Sequence, residues 1–252
     1  MDYLKESGIK LNTLLTKKNQ MSSFWEYLKI HHYCLDNIIQ MIKSSEYKPV
    51  KTNRMKMEKM PLYEDVQEMI EKINRKPDEF IRIRNGCVFR TLRGTGLRES
   101  ELAGLDIRDV YLDEQYIDSR HPRPYILVIS KGNYDYTDNG KDIVFLTKDA
   151  IAALTEWLKY RETLTDIIDT EALFLNKNGK RMNEDNIKAM FRIYSGGKLT
   201  PHMMRHEYTT ILTRESNDPT FVREQGRWKS DAMMNNVYDS GASRSVNVLD
   251  NM

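Results

Sequence analysis

The sequence has few cysteines, no long apolar run and almost no net charge. Its 252 residues include two cysteines, Cys34 and Cys87, far apart and outside any C-x-x-C pattern. Neither a disulfide framework nor a zinc ribbon is expected, and both thiols are predicted to be buried in a reducing compartment. No stretch approaches the ~18 consecutive apolar residues of a membrane span. The N-terminal MDYLKESGIK lacks an apolar run, so no secretory signal is expected and a cytoplasmic location is favoured.

The small net charge conceals an uneven distribution. Lys and Arg total 39 against 37 Asp and Glu, a formal charge of +2. Residues 1–60 hold 11 basic and 6 acidic side chains, whereas the remaining 192 residues hold 28 basic and 31 acidic ones. A basic N-terminal part is a weak indication of a polyanionic partner.

Apolar periodicity predicts a mainly α protein with a small antiparallel β-sheet, an α+β class. Near the N-terminus, helices are predicted over 3–17 and 22–45, the second capped by Ser22 or Ser23 with Glu26 completing a capping box. Two such helices cannot bury both faces, so this region must dock on something else. Further helices are predicted at 62–73, 78–92 (broken by Gly94 and Gly96), 98–105, 148–160, 183–194, 200–214, from 218 and from 230 or 231. Strands are predicted at 125–129 and 143–146.

Three segments carry candidate chemistry. The first is GTGLRESELAGLDIRDV (94–110), where a glycine-bounded turn delivers Arg98 to a helix start. Glu101 lies three residues on, close enough to orient the guanidinium. Taken alone, the pair has the ordinary interpretation of a surface ion pair.

The second segment, LTPHMMRHEYTT (199–210), places His202 and Arg205 one turn apart near a helix N-terminus, which suits a phosphate. Arg can hold two phosphate oxygens, and His can move a proton at neutral pH. A rival interpretation makes His202 and His206 zinc ligands, but the H-E-x-x-H order is absent. The third segment, VREQGRWKSDAMMNNVYDS (222–240), has Trp228 and Tyr238 as ordinary amphipathic aromatics when considered alone.

In this order the segments resemble the tyrosine recombinase (phage integrase) family over about residues 60–240. T-G-L-R-x-S-E-L-x-x-L-x-x-x-D-V is similar to the first family box, and H-x-x-R-H to the second. G-R-W-K-S, followed by a short helix ending in tyrosine, resembles the C-terminal box, and ISKGN resembles the hairpin that carries the catalytic lysine. The resemblance implies these catalytic residues: Arg98, Lys131, His202, Arg205, Trp228 and Tyr238, with Glu101 in support.

The chain departs from the family pattern at two places. The gap from Trp228 to Tyr238 is one residue longer than expected, which leaves Arg227 as an alternative to Trp228 in the pocket. The loop after Lys131 is longer than usual, so Lys141 is an alternative lysine. The expected layout is a short DNA-binding, core-binding-like region (1–50), a linker (51–61) and a catalytic domain with a C-terminal tail (62–252).

The resemblance implies a site-specific recombinase or integrase that cuts and rejoins DNA through a 3′-phosphotyrosyl link, without metal or other cofactor. The implied partners are double-stranded DNA and further copies of the chain, from a dimer to a tetramer, in a mobile element or replicon. A type IB-like topoisomerase and a non-catalytic DNA-binding relative are the alternatives on the same fold. A metal-dependent nuclease built on His202 and His206 is a third.

Overall fold

The computed structural model describes residues 11–42, 60–118, 121–129, 140–216 and 218–227. The chain forms two compact units, Met1–Arg54 and Met55–Met252. Among the residues described, no helix is both long and apolar enough to cross a membrane.

In its described part the first unit contains one α-helix where two were predicted; residues 3–10 of the first predicted helix lie outside the described residues. Helix α1 runs from Leu11 to Ile30, and a short 3-10 helix follows at Ile38–Met41. The predicted break near residue 20 was wrong because KKNQM contains no glycine or proline to interrupt the helix. Ser23 is therefore not an N-cap; its hydroxyl donates to the Asn19 carbonyl within the helix. The predicted continuation to residue 45 was also wrong, since α1 ends before His32, which has a left-handed φ of 59°.

The described part of this unit buries little apolar surface. Leu14 and Ile39 are buried, and the Asn37 side chain connects the 3-10 helix to the Ser22 carbonyl. Cys34 is half-buried rather than buried as predicted, because it lies in the irregular segment after α1. Most large apolar side chains here are exposed: Met21, Phe24, Tyr27, Ile30, Tyr33, Leu35, Ile38 and Met41. The docking of this region on another surface stays a prediction.

The second unit is mainly helical, as predicted. The α-helices in its described residues are α2 (Tyr63–Asn74), α3 (Glu79–Thr95), α4 (Glu99–Ala103), α5 (Lys148–Arg161), α6 (Glu184–Ser195), α7 (Pro201–Glu215) and α8 (Pro219–Gly226). The caps follow local chemistry: the Thr200 side chain accepts from Met203 N–H, and Asp218 accepts from Thr220 N–H. Proline at the first position of α7 and α8 costs no hydrogen bond. The helix predicted from residue 230 or 231 lies outside the described residues.

A three-stranded antiparallel sheet accompanies the helices, which confirms the predicted fold class. Its strands are β1 (Val110–Tyr111), β2 (Tyr125–Val128) and β3 (Asp142–Phe145), in the order β1-β2-β3. Tyr125 pairs with Tyr111 on one side and with Phe145 on the other. β1 was not predicted because two residues are too short for an alternating pattern.

Helix α3 packs against α2, α5 and α7, and its side chains Cys87, Val88, Phe89, Thr91 and Leu92 are almost wholly buried. Gly94 does not break α3 as predicted; it lies inside the helix. A Cβ at this position would come within 2.3 Å of Thr147 Oγ1, so glycine permits the close approach of the α5 N-terminus. The helix ends at Gly96, whose φ of 60° is left-handed.

Candidate active site

The turn between α3 and α4 forms the floor of the candidate site. Gly96 needs to be glycine here for two reasons: its left-handed backbone, and the Tyr208 ring, whose Cδ1 would lie 2.5 Å from a Cβ. Leu97 is fully buried beside it and anchors the turn in the core. The chain then enters α4 with Arg98 as its N-cap residue. The turn thus points the Gly96 carbonyl and the Arg98 guanidinium to one region.

Glu101 contacts Arg98 twice. The Arg98 backbone N–H donates to Glu101 Oε2 at 2.9 Å, and the Arg98 guanidinium donates to Oε1. The Glu101 side chain is 2% exposed, whereas that of Arg98 is 27% exposed. One arm of Arg98 is therefore held by a buried carboxylate while part of the guanidinium faces solvent.

Helix α7 brings the second arginine to the same turn. Arg205 is 1% exposed and donates to the Gly96 carbonyl at 2.6 Å and to the Gly226 carbonyl. His202 lies one turn earlier, exposed on the first turn of α7, and its ring centroid is 4.5 Å from that of His206. Residues more than 100 positions apart in the chain thus meet at one carbonyl oxygen.

A third arginine, Arg227, joins this cluster at the end of α8. Its side chain is 2% exposed and donates to Gly96 O at 3.0 Å, to Glu101 Oε2 at 3.1 Å and to Gln225 O at 2.9 Å. We call Arg98, Glu101, Arg205 and Arg227 the arginine cluster. It combines three guanidinium groups with one carboxylate.

The pKa values in the cluster reflect this crowding. Burial, followed by the charges of Arg227 and Arg98, lowers the pKa of Arg205 to about 9. It is still protonated at neutral pH. Burial by itself would raise the pKa of Glu101, but the charge of Arg227 and the N–H and charge of Arg98 lower it below its usual value. Glu101 is therefore ionised, and the cluster carries positive charge in excess.

The structure places the lysine alternative Lys141 in a different contact. Its Nζ lies 2.7 Å from Asp109 Oδ1, and both side chains are 8% exposed. Asp109 in turn accepts from the Asp106 N–H, so this pair connects the start of β3 to the residues before β1. Lys131, Trp228 and Tyr238 lie outside the described residues.

Two contacts around the site had no signal in the sequence. Arg93 of α3 binds Glu207 of α7 through two hydrogen bonds of 3.0 and 2.9 Å. Burial opposes the charged form of Arg93, but Glu207 outweighs it and raises the pKa of that arginine. Gln225 of α8 accepts the Phe145 N–H of β3 at 2.9 Å. Each contact joins residues at least 80 positions apart, and such pairs leave no periodic pattern.

The arrangement suits an anion better than a cation. Within the described ranges, no group of three or more His, Cys, Asp or Glu side chains could hold a metal ion, and His202 and His206 stand without a third such ligand. Clustered guanidinium groups bind phosphate through charge-assisted, paired hydrogen bonds. The first turn of α7 adds free N–H groups and a partial positive charge beside them.

Comparison with known proteins agrees with the motif analysis. The model of the phage integrase family matches residues 62–243. Tyrosine recombinase XerC of Vibrio cholerae serotype O1 is 27% identical over 225 residues, covering 87% of this chain and 64% of the relative. XerC of Neisseria gonorrhoeae is 32% identical over 149 residues, 57% of this chain and 43% of the relative. This chain therefore spans less than two thirds of the length of these relatives.

Solved structures share the fold. The Tn1549 transposon integrase in complex with transposon right end DNA superposes with a TM-score of 0.64 at 22% identity, covering 98% of this chain and 82% of that one. The XerH site-specific recombinase bound to palindromic difH substrate gives a TM-score of 0.57 at 21% identity, covering 80% and 55%. Since the family model covers most of the chain, and four motifs occur in the family's order, this protein belongs to the phage integrase family of tyrosine recombinases.

Proposed function

We propose that this chain is a site-specific DNA recombinase of a mobile element or replicon. The observation that carries the proposal is the arginine cluster: Arg98 and Arg205, brought together from separate motifs onto the Gly96 turn, beside the N-terminus of α7. In a protein of this family, we expect the anion at such a site to be a phosphodiester of DNA. The excess positive charge would bind one DNA phosphate and stabilise the charge that develops on it.

In the proposed reaction, the Tyr238 oxygen attacks the phosphorus and forms a new P–O bond as the P–O5′ bond breaks. Arg98 and Arg205 donate to the non-bridging oxygens, and His202 assists removal of the tyrosine proton. Lys131 donates a proton to the leaving 5′-oxygen; Lys141 is the weaker candidate because it is already bound to Asp109. The Trp228 indole N–H donates to a phosphate oxygen. Glu101 holds Arg98 in place.

The proposed substrate is double-stranded DNA, bound by two to four copies of the chain in the cytoplasm. We propose that residues 1–50 contribute to DNA binding, that 51–61 form a linker and that 62–252 form the catalytic domain. The basic balance of residues 1–60 supports the first of these assignments. Because the covalent link conserves the energy of the broken bond, a 5′-hydroxyl of another strand can reseal the joint. No metal or nucleotide enters these steps.

The test is covalent capture on nicked suicide duplexes tiled across the DNA that flanks the gene. A nick placed shortly 3′ of the scissile phosphate lets the short leaving fragment, which bears the new 5′-hydroxyl, diffuse away, so the phosphotyrosyl adduct accumulates. We expect a protein–DNA band that survives SDS, forms in EDTA and maps to Tyr238 by peptide mass spectrometry. Tyr238→Phe should abolish the band, since the nucleophilic oxygen is missing.

Tyr63→Phe is the matched control, because Tyr63 is 65% exposed on α2 and should form the adduct at the wild-type rate. An adduct that persists in Tyr238→Phe, or none with the wild-type chain on any tile, would refute the proposal. Relaxation of a supercoiled plasmid that lacks these sites would indicate the topoisomerase alternative. DNA cleavage without a covalent band, abolished by EDTA, would indicate a metal-dependent nuclease.

A further inference from the structure

Arg227 adopts an unusual backbone conformation for an arginine. It ends α8 with φ 51° and ψ 47°, in the left-handed region. A non-glycine residue in this region costs on the order of 1 kcal/mol relative to glycine. The strain is maintained by the side chain, which donates to Gly96 O, Glu101 Oε2 and Gln225 O.

The contacts of Arg227 tie it to both other arginines. Gly96 O accepts from Arg205 at 2.6 Å and from Arg227 at 3.0 Å, so two guanidinium groups share one oxygen. Glu101 is shared as well, with Oε1 bound to Arg98 and Oε2 to Arg227. The buried Nε of Arg227 has no hydrogen-bond partner among the described residues. The guanidinium groups are therefore held in fixed positions, while one buried donor of Arg227 is left without an acceptor among the described residues.

The charge balance makes this arrangement costly without an anion. Among the described residues of the cluster, three guanidinium groups surround one carboxylate, which leaves two positive charges in excess where only Arg98 is partly exposed. Like charges in a medium of low dielectric repel strongly. Without Arg227 the excess would be a single charge, equal and opposite to that of one phosphodiester.

The reaction changes the charge that the cluster must match. A phosphodiester carries one negative charge. When a tyrosine oxygen adds after losing its proton, the five-coordinate phosphorus group carries two. Groups that bind the second state more tightly than the first accelerate the reaction, whereas equal binding of both does not raise the turnover rate.

We propose that Arg227 is a positioning residue that tunes the arginine cluster to a doubly negative phosphoryl group. It holds Glu101 and the Gly96 carbonyl, which fix Arg98 and Arg205, and it supplies the second excess positive charge. The inference rests on the proposed function, since it takes this cluster to be the phosphate site. The inference adds to that function that the arginine cluster binds the doubly negative transition state more tightly than the singly negative ground state.

The test uses inorganic and organic anions, so that it is independent of cleavage. Sulfate, a dianion, and dimethyl phosphate, a monoanion, are titrated into the full chain at constant ionic strength, following the NMR signals of the Gly96 and Arg98 amides. We expect the wild-type chain to bind sulfate more tightly. Arg227→Gln should reduce the ratio of the two affinities on the order of tenfold, because one charge next to the anion is lost.

Two further variants separate charge from folding. Arg227→Lys keeps the charge and should preserve most of the sulfate preference. Arg227→Gly removes the charge and should lose the sulfate preference. Because glycine tolerates the left-handed backbone, the melting temperature of Arg227→Gly should be no lower than that of Arg227→Gln. Arg75→Gln is the matched control, since Arg75 is an exposed arginine paired with Glu71 on the surface. It should leave both affinities unchanged.

A second measurement on the suicide duplexes connects the anion data to the reaction. Arg227→Gln should slow adduct formation on the order of tenfold or more, with duplex affinity changed less than twofold. If Arg227→Gln leaves the ratio of the sulfate and dimethyl phosphate affinities unchanged, the inference is overturned even if the wild-type chain forms the adduct. Absence of the adduct in the wild-type chain, with the sulfate preference intact, would instead refute the proposed function.

Discussion

Glu101 shows how one side chain sets the properties of the candidate site. Its carboxylate is almost fully buried and neutralises one of three surrounding arginines. Its lowered pKa means that folding is coupled to its ionised form. The stabilisation is fully present above the usual glutamate pKa of 4.5 and is lost as the pH falls through the lower value of the folded state.

Glu101→Gln should therefore destabilise the protein in a pH-dependent way. At pH 7 we expect the free energy of unfolding to fall by about 3 kcal/mol, since the buried Arg205 and Arg227 and the partly exposed Arg98 lose the carboxylate that they surround. The difference between wild type and variant should shrink as the pH drops below 4.5, because wild-type Glu101 is protonated first in the unfolded chain and then, at the lower pKa, in the folded one. Urea unfolding monitored by tryptophan fluorescence measures it.

Glu71→Gln is the control for this experiment, because Glu71 pairs with Arg75 on the exposed side of α2. Its effect should stay below about 0.5 kcal/mol at every pH. A constant difference between wild type and Glu101→Gln from pH 7 to pH 3 would mean that Glu101 is not ionised in the folded protein.

Secondary-structure elements meet at the site through single polar side chains. Gln225 of α8 binds β3 at two points: it accepts the Phe145 N–H at 2.9 Å and donates to the Ile143 carbonyl at 3.5 Å. β3 is an edge strand of the sheet, so these bonds replace a neighbouring strand. Arg227 lies two residues after Gln225, so the end of α8 connects the sheet to the arginine cluster.

Gln225→Leu should loosen this edge. The Phe145 N–H would lose its acceptor, at a cost of about 1–3 kcal/mol. Hydrogen exchange at the Phe145 amide, measured by NMR, should accelerate on the order of tenfold or more. Gln225→Glu keeps an acceptor for this N–H and should largely preserve its protection. Equal exchange rates in wild type and Gln225→Leu would show that α8 does not hold the edge of β3.

At the scale of the whole chain, the two compact units differ in how much apolar surface they bury. The unit Met55–Met252 has a continuous core that includes α2, α3, α5 and the sheet. In the described part of Met1–Arg54, only Leu14 and Ile39 are buried apolar residues. Each unit contains one free cysteine, Cys34 in the first and Cys87 in the second.

The two thiols should therefore react at very different rates. Burial raises the pKa of the Cys87 thiol far above its usual value, and its side chain is 1% exposed. We expect a disulfide reagent such as DTNB to modify one thiol per native chain at pH 8, namely the half-buried Cys34. Cys87 should react only in urea concentrations that unfold the second unit.

Cys34→Ser is the control and should leave no thiol that reacts rapidly in the native state. Two rapidly reacting thiols in the wild-type chain, or rapid reaction of Cys87 in Cys34→Ser, would contradict the packing of α3. The urea concentration at which Cys87 becomes reactive therefore reports unfolding of the second unit.

Much of the fold followed from local patterns. Apolar periodicity and caps such as Thr200 and Asp218 placed the helices of the second unit, since both signals act within a few residues. The predicted break between the N-terminal helices was wrong: serine at residues 22 and 23 has cap chemistry, yet the helix continues through both residues. The prediction that Gly94 breaks α3 was wrong, because glycine there permits a close contact with Thr147 inside a continuous helix.

The sequence by itself determined the family, because four motifs in a given order carry that information without any contact between them. It also determined that Glu101 lies within reach of Arg98, three residues away on a helix. Only the tertiary structure decided that Arg205 and Arg227 share the Gly96 carbonyl, and that Lys141 is held by Asp109. The physical reason is that these contacts join distant residues through the packing of α3, α7 and α8. The periodicity of side chains along one helix carries no information about which other helix packs against it.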